Sequence, residues 1–229
     1  MFREKIDYID LVQLHNYPGH DIIMRLMMAF NDLVLVNQCL RMVKKENSPI
    51  AQEYKMGAGM YFVRLQFSHL NEAMKIIIKI RDSHLPLCIV KKCTDRNKEN
   101  FEKLKGYLKG GQNYVEFKSK VGKIRHNVTF HYDESAKLYN RALKTRSARK
   151  DGKTSKITWS PDIENMRFNI ADDIHDTIVC RQIWQIPEDA NIREEANTFA
   201  DFGREVCICF LQFAYEYVVR YLQYHGLIN

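Results

Sequence analysis

Residues 199–221 read FADFGREVCICFLQFAYEYVVRY, and within them Phe199, Phe202, Val206, Phe210, Phe213, Tyr217 and Tyr221 recur at steps of 3, 4, 4, 3, 4 and 4. Such steps place all seven side chains on one face of an α-helix, because about 3.6 residues complete a turn. A stripe this long and this aromatic predicts a helix that packs into the core instead of fraying, or that meets a second copy of the chain. The same period occurs upstream. Between Gly59 and Arg81, residues Val63, Phe67, Leu70, Met74 and Ile77 step by 4, 3, 4 and 3, predicting a helix of roughly six turns. From Asp21 to Val43 the apolar residues occupy more than one face, as expected of a helix buried between neighbours.

Shorter segments fill the gaps. Asn97 to Leu108 is charged and helical in period, and the breaker Lys109-Gly110-Gly111 closes it. Tyr114 to about Phe130 reads as a helix with Val115, Phe117, Val121, Ile124 and Val128 inward, and Asp133 is placed to cap a helix from Glu134 to about Ser147. The pattern then changes. Ala148 to Ser155 is small, charged and Gly-containing, a loop signature. Ile157-Thr158-Trp159 and Met166 to Ile170 read as two short strands around a Ser160-Pro161-Asp162 turn. A helix from about Asp172 to Trp184 follows, and Pro187 and Glu188 introduce the last one. The expected fold is all-α, one helical domain over 1–229. A small β-like insertion is expected around 157–170, within 148–171.

Composition agrees with a packed core. Of 229 residues 45% are hydrophobic, with 12 Phe and 12 Tyr, while 10 Gly and 5 Pro exclude collagen-like and low-complexity chains. The net charge of +7 is unevenly spread. Residues 91–153 hold 18 Lys and Arg against 7 Asp and Glu, and residues 161–205 hold 4 against 11. A basic block is thus followed by an acidic one, suited to shielding the first or to meeting the basic face of another protomer. The six cysteines, at 39, 88, 93, 180, 207 and 209, form no CxxC pair, so they read as reduced core residues of a cytoplasmic protein. The charged start, MFREKIDYIDL, does not read as a signal peptide. No uninterrupted apolar run of about 18 residues occurs, so no membrane partner is expected.

Most enzyme signatures are missing. Gly57-Ala58-Gly59 and Gly110-Gly111 lack the context of a phosphate loop, and GxSxG, HExxH and dense carboxylate clusters do not occur. One segment in the basic block is different: Lys123-Ile-Arg125-His126-Asn-Val-Thr-Phe-His131-Tyr132-Asp133. On an unbroken helix Arg125 and His131 would lie about 120° apart, so they converge only if the helix ends near Phe130 or a second protomer supplies one of them. An imidazole titrates near neutrality and can take a proton from a ribose 2′-OH or give one to a leaving oxygen. A guanidinium can hold phosphate oxygens bidentately and offset charge in the transition state. The structural alternative makes His131 a helix-end hydrogen bonder and Arg125 the partner of Asp133 or of another acidic neighbour.

Arg125-His126, five intervening residues in all, and His131 resemble the motif of the HEPN superfamily: Arg, then a polar residue, then an invariant His after a short spacer. The resemblance implies an all-α, up-and-down helical bundle and a metal-independent endoribonuclease acting on RNA in a toxin–antitoxin or phage-defence (abortive infection) system. It implies no metal and no other cofactor, a homodimer whose two motifs share a cleft, and an antitoxin or other partner protein. Arg125 and His131 would then be the catalytic pair and His126 an accessory. The basic residues Lys123, Arg141, Arg146, Arg149 and Lys150 are the candidate phosphate contacts. Other members of the superfamily keep the fold without nuclease activity, so a non-catalytic nucleic-acid or protein interaction module is the alternative function.

Overall fold

The computed structural model describes residues 7–45, 49–124, 136–148, 154–159, 161 and 167–228. The chain is all-α. Helices α1 (Leu11–Asn16), α2 (His20–Lys45), α3 (Pro49–Arg81), α4 (His84–Lys92) and α5 (Asp95–Gly106) precede α6 (Tyr114–Phe117), which continues as a π-helix over Lys118–Gly122. Then come α7 (Lys137–Ser147), the strands β1 (Ile157–Thr158) and β2 (Arg167–Phe168), and α8 (Asn169–Thr177), continued by a π-helix over Ile178–Ile183. Helix α9 (Ile192–Tyr224) is last. β1 and β2 pair antiparallel, with Ile157 opposite Phe168 and Thr158 opposite Arg167.

Two compact units result. The first comprises Met1–Val34, Glu72–Tyr114 and Glu205–Asn229, and the second Leu35–Asn71 and Val115–Arg204. In the first, Val206, Phe210, Phe213, Tyr217 and Tyr221 of α9 are buried, as their period predicts, together with Ile23 and Leu26 of α2, Ile77 and Ile80 of α3, and Phe101 of α5. Phe101 and Phe213 stack at 5.1 Å between ring centres. The buried tyrosine hydroxyls need acceptors, and they find backbone carbonyls: Tyr217 donates to Pro86 at 3.2 Å and Tyr221 to Pro18 at 3.1 Å. Glu216 of α9 serves α5 as an external cap, accepting from the Thr94 N–H at 2.7 Å and its hydroxyl at 2.8 Å. Asp10 caps α1 through the N–H groups of Val12 and Gln13. Gly110, at φ 91°, makes the turn after α5 that the Gly-Gly pair announces.

The second unit is built around Phe67 and Trp184, both buried, with ring centres 6.1 Å apart. Trp184 stacks on Phe199 at 4.6 Å, and its indole N–H donates to the Lys120 carbonyl at 3.2 Å. Lys120 in turn sets its ammonium over the rings of Phe199 and Phe202, at 5.0 and 4.6 Å. Gly203 of α9 lies directly against the Phe67 ring.

Several expectations need correction. Val115 is 77% exposed, because a two-residue step on a helix turns about 200° and so cannot share a face with Phe117, Val121 and Ile124, which are buried. Ile170 belongs to α8, not to a strand. Helix α2 is not enclosed by neighbours: Met24, Met28, Leu35 and Met42 are 44–70% exposed. Its window His20–Val43 has a mean hydropathy of 1.3, is 28% buried, and is by length and composition alone sufficient to cross a membrane. Helices α1 and α4 carry no sequence signal strong enough to have been anticipated. Val128 and the expected cap Asp133 lie outside the described residues.

Candidate functional site

Arg125, His126 and His131 lie outside the described residues, as do Arg149 and Lys150. What is described is the frame on either side of them, all of it in the second unit. On the entry side Phe117 at the end of α6, Val121 of the π-helix and Ile124 just after it anchor the chain, each at most 5% exposed, and Lys123 is left on the surface. On the exit side Ala136 adopts a left-handed backbone, φ 54°, which costs a non-glycine residue about 1–3 kcal/mol. Helix α7 then starts at Lys137. Arg141 and Lys144 are exposed. Arg146 is not offered to solvent: its guanidinium meets the Asp173 carboxylate at 2.8 Å, with both side chains under 30% exposed. Of the expected phosphate contacts that are described, Lys123 and Arg141 are therefore presented and Arg146 is committed to protein.

Arg146 belongs to a polar cluster between α3, α7 and α8. The side chain of Arg64 from α3, in a residue only 7% exposed, lies among Asp172, Asp176, Tyr61 and Tyr139. It sits one residue from Val63 and three from Phe67, at the edge of the apolar stripe. Asp172, Asp173 and Asp176 share one side of α8 at i, i+1 and i+4. Asp173 also accepts from Ser155 at 2.5 Å, and Tyr139 approaches His175 Nε2 at 3.4 Å. Part of the acidic block thus neutralises arginines of its own unit.

The electrostatics follow from burial. Asp176 has one carboxylate oxygen buried without a hydrogen-bond partner. Burial pushes its pKa up to about 7, against the opposing pull of Arg64 and with help from Asp172 and Asp173. His175 is driven down by burial and by the Arg64 charge, which keeps the imidazole neutral. Burial likewise raises Cys180 to about 12, and Cys93 and Cys209 to about 11, so these thiols are not thiolate nucleophiles.

A stability prediction follows. A carboxyl whose folded pKa stands above its unfolded value favours the fold when protonated. That contribution is complete below about pH 4 and is lost as pH rises through about 7. By pH 8 the loss amounts to at most about 4 kcal/mol. Asp176→Asn keeps the shape without the charge. It should therefore raise the urea midpoint at pH 8 and change it much less at pH 4. Destabilisation of the same size at both pH values would show instead that the ionised carboxylate is needed by Arg64.

The arginine–aspartate cluster escapes sequence reading. Its one signal is Arg64 beside a buried stripe, matched by two aspartates four residues apart on another helix. Among the described residues no group of three or more His, Cys, Asp or Glu side chains is arranged to hold a metal ion. The cleft lined by Pro18, Pro86, Tyr217 and Tyr221 in the first unit has room for about one water, too little for a small-molecule ligand. No family model, no curated protein and no solved structure matches this chain.

Proposed function

We propose that the chain is a metal-independent endoribonuclease of HEPN type, acting in the cytoplasm as the toxin of a toxin–antitoxin or phage-defence system. The observation that carries this reading is Arg125-His126 followed by His131, in the basic block of an all-α chain. His131 takes the proton from a ribose 2′-OH, whose oxygen attacks the adjacent phosphorus. The bond to the 5′-oxygen breaks, that oxygen receives the proton back from the imidazolium, and a 2′,3′-cyclic phosphate remains. Arg125 grips the non-bridging oxygens as their charge grows. Lys123 and Arg141, both exposed, support the reading as phosphate contacts flanking the motif. RNA cleavage in EDTA by wild type, Arg125→Ala and His131→Ala tests it; undiminished cleavage by both variants would reject it.

The proposed active form is a homodimer. Leu35 and Met42 of the second unit support it, standing exposed at seven-residue spacing on α2, the spacing at which a second helix seats its side chains. Leu35→Glu should lower the sedimentation-average mass towards that of the 27.1 kDa monomer. An unchanged mass would place the interface elsewhere. The second reading is a non-catalytic HEPN-like module that binds nucleic acid or a protein partner. Arg146 favours its protein-binding form, since one expected phosphate contact serves Asp173 instead. Binding without turnover would support that reading.

A further inference from the structure

Helix α7 divides its four cations between two faces. Tyr139, Ala142 and Arg146, at steps of 3 and 4, share the side turned into the unit: Ala142 is fully buried and Arg146 meets Asp173. Lys137, Arg141 and Lys144, at steps of 4 and 3, share the opposite side, and all three are exposed. The helix contains no Asp or Glu, so none of the three has an acid beside it on α7. Lysines elsewhere are arranged differently. Lys75, Lys98, Lys105 and Lys120 each pair, at 2.5–2.9 Å, with an acid three or four residues earlier: Glu72, Asp95, Glu102 and Glu116. Like charges at these spacings repel, and α7 has no side-chain cap at its start to offset this. An anion laid along the row would relieve the repulsion.

The composition of the face favours one kind of anion. Leu143, 46% exposed, is the one large apolar side chain that α7 exposes, and it lies about 100° or more around the helix from each of the three cations. A protein partner needs apolar or aromatic anchors at the centre of its contact, where lysine is depleted. Backbone phosphates of a nucleic acid need only what this face offers, arginine and lysine, with the exposed Asn140 at its border. From Lys137 to Lys144 the helix rises about 10.5 Å, against one strand charge per about 3.4 Å, so the row spans about three phosphates.

We propose that Arg141 and Lys144, with Lys137 one turn before them, form a track for the phosphate backbone of single-stranded RNA. This deepens the nuclease reading, from which it takes RNA as the ligand. It adds Lys137 and Lys144 to the phosphate contacts and removes Arg146 from them.

Binding is measured by fluorescence anisotropy, using the full chain and a fluorescein-labelled oligo(2′-O-methyluridine) of about 20 nucleotides, over a range of salt concentrations. This probe has no free 2′-OH, so it binds without being cut. Arg141→Gln and Lys144→Gln should each reduce the slope of log affinity against log salt by about 0.7, and the double variant by about 1.4. In affinity this is about 5-fold for each single variant at 0.1 M salt and almost nothing at 1 M. Arg146→Gln should leave the slope unchanged, because Asp173 already holds that guanidinium, and so should Lys98→Gln, a surface lysine of another helix. Far-ultraviolet circular dichroism checks that each variant folds. Failure of wild type to bind the probe overturns the track, and so does a wild-type slope in the double variant. An equal loss of slope in Lys98→Gln also overturns it, since net charge and not the row would then attract the strand. Poly-L-glutamate bound as tightly as the oligonucleotide would overturn it in favour of an acidic protein. Slopes reduced as expected, with RNA cleavage absent in wild type, would uphold the track and reject only the nuclease.

Discussion

His131→Ala should slow RNA cleavage by about 10²–10⁴-fold, the usual contribution of a positioned general acid–base group. The proton on the 2′-OH has a pKa far above neutrality, so attack on phosphorus is slow until a base removes it in the transition state. Alanine leaves water to do this. Arg125→Ala should cost a comparable factor, and Arg125→Lys should not restore it, since an ammonium cannot make the two parallel bonds of a guanidinium. EDTA should leave the wild-type rate unchanged. RNA methylated at the 2′-oxygen should resist cleavage, because the nucleophile is blocked. Products should end in a 2′,3′-cyclic phosphate. Cleavage that yields a 5′-phosphate and stops in EDTA would replace this chemistry with metal-assisted hydrolysis.

Gly203→Ala should destabilise the protein by about 3 kcal/mol or more, lowering the melting temperature by roughly 6–12 °C. The sign is the informative part. Alanine in place of an interior helical glycine normally stabilises by about 1 kcal/mol, because it restricts the unfolded chain. Gly59, in α3, has nothing within 4 Å of where a Cβ would sit, and there the ordinary gain is expected. At Gly203 the new Cβ would enter the space of the Phe67 ring, and that ring is fully buried beside Trp184. The ring cannot swing into solvent, so the helix or the whole aromatic cluster must shift. Phe67→Leu combined with Gly203→Ala should recover part of the loss, since the smaller side chain vacates the clash while leaving some cavity cost. A Gly203→Ala protein that melts no lower than wild type would show that α9 does not press on Phe67.

The helices were legible because their cause is local. The stripe 63–77 is buried as its spacing requires, and so is 199–221 from Val206 onward, with Phe199 and Phe202 at its start half-buried; the Lys109-Gly110-Gly111 breaker turns the chain where a left-handed glycine is needed. The paired strands at 157–158 and 167–168 fall inside the expected segments. Less legible were the π-helical turns at 118–122 and 178–183, because one extra residue in a turn hardly alters an apolar pattern. The apolar richness of α2 does not mean enclosure. A helix can have more apolar faces than its neighbours cover, and Met28 and Met42 stay in solvent.

The sequence by itself determined the long helices and where the charge reverses, and it is the source of the three residues on which the proposed chemistry rests, since period and residue type are properties of neighbours along the chain. Tertiary structure alone decided which charges are spent inside the protein. Arg146 looks like its neighbours Arg141 and Lys144 until α8 brings Asp173 to it, and Asp176 is an ordinary acidic residue until burial beside Arg64 pushes its proton affinity towards neutrality. These are outcomes of burial and pairing between segments far apart in sequence, and the free energy of a charge or a ring depends on what surrounds it, not on what it is bonded to.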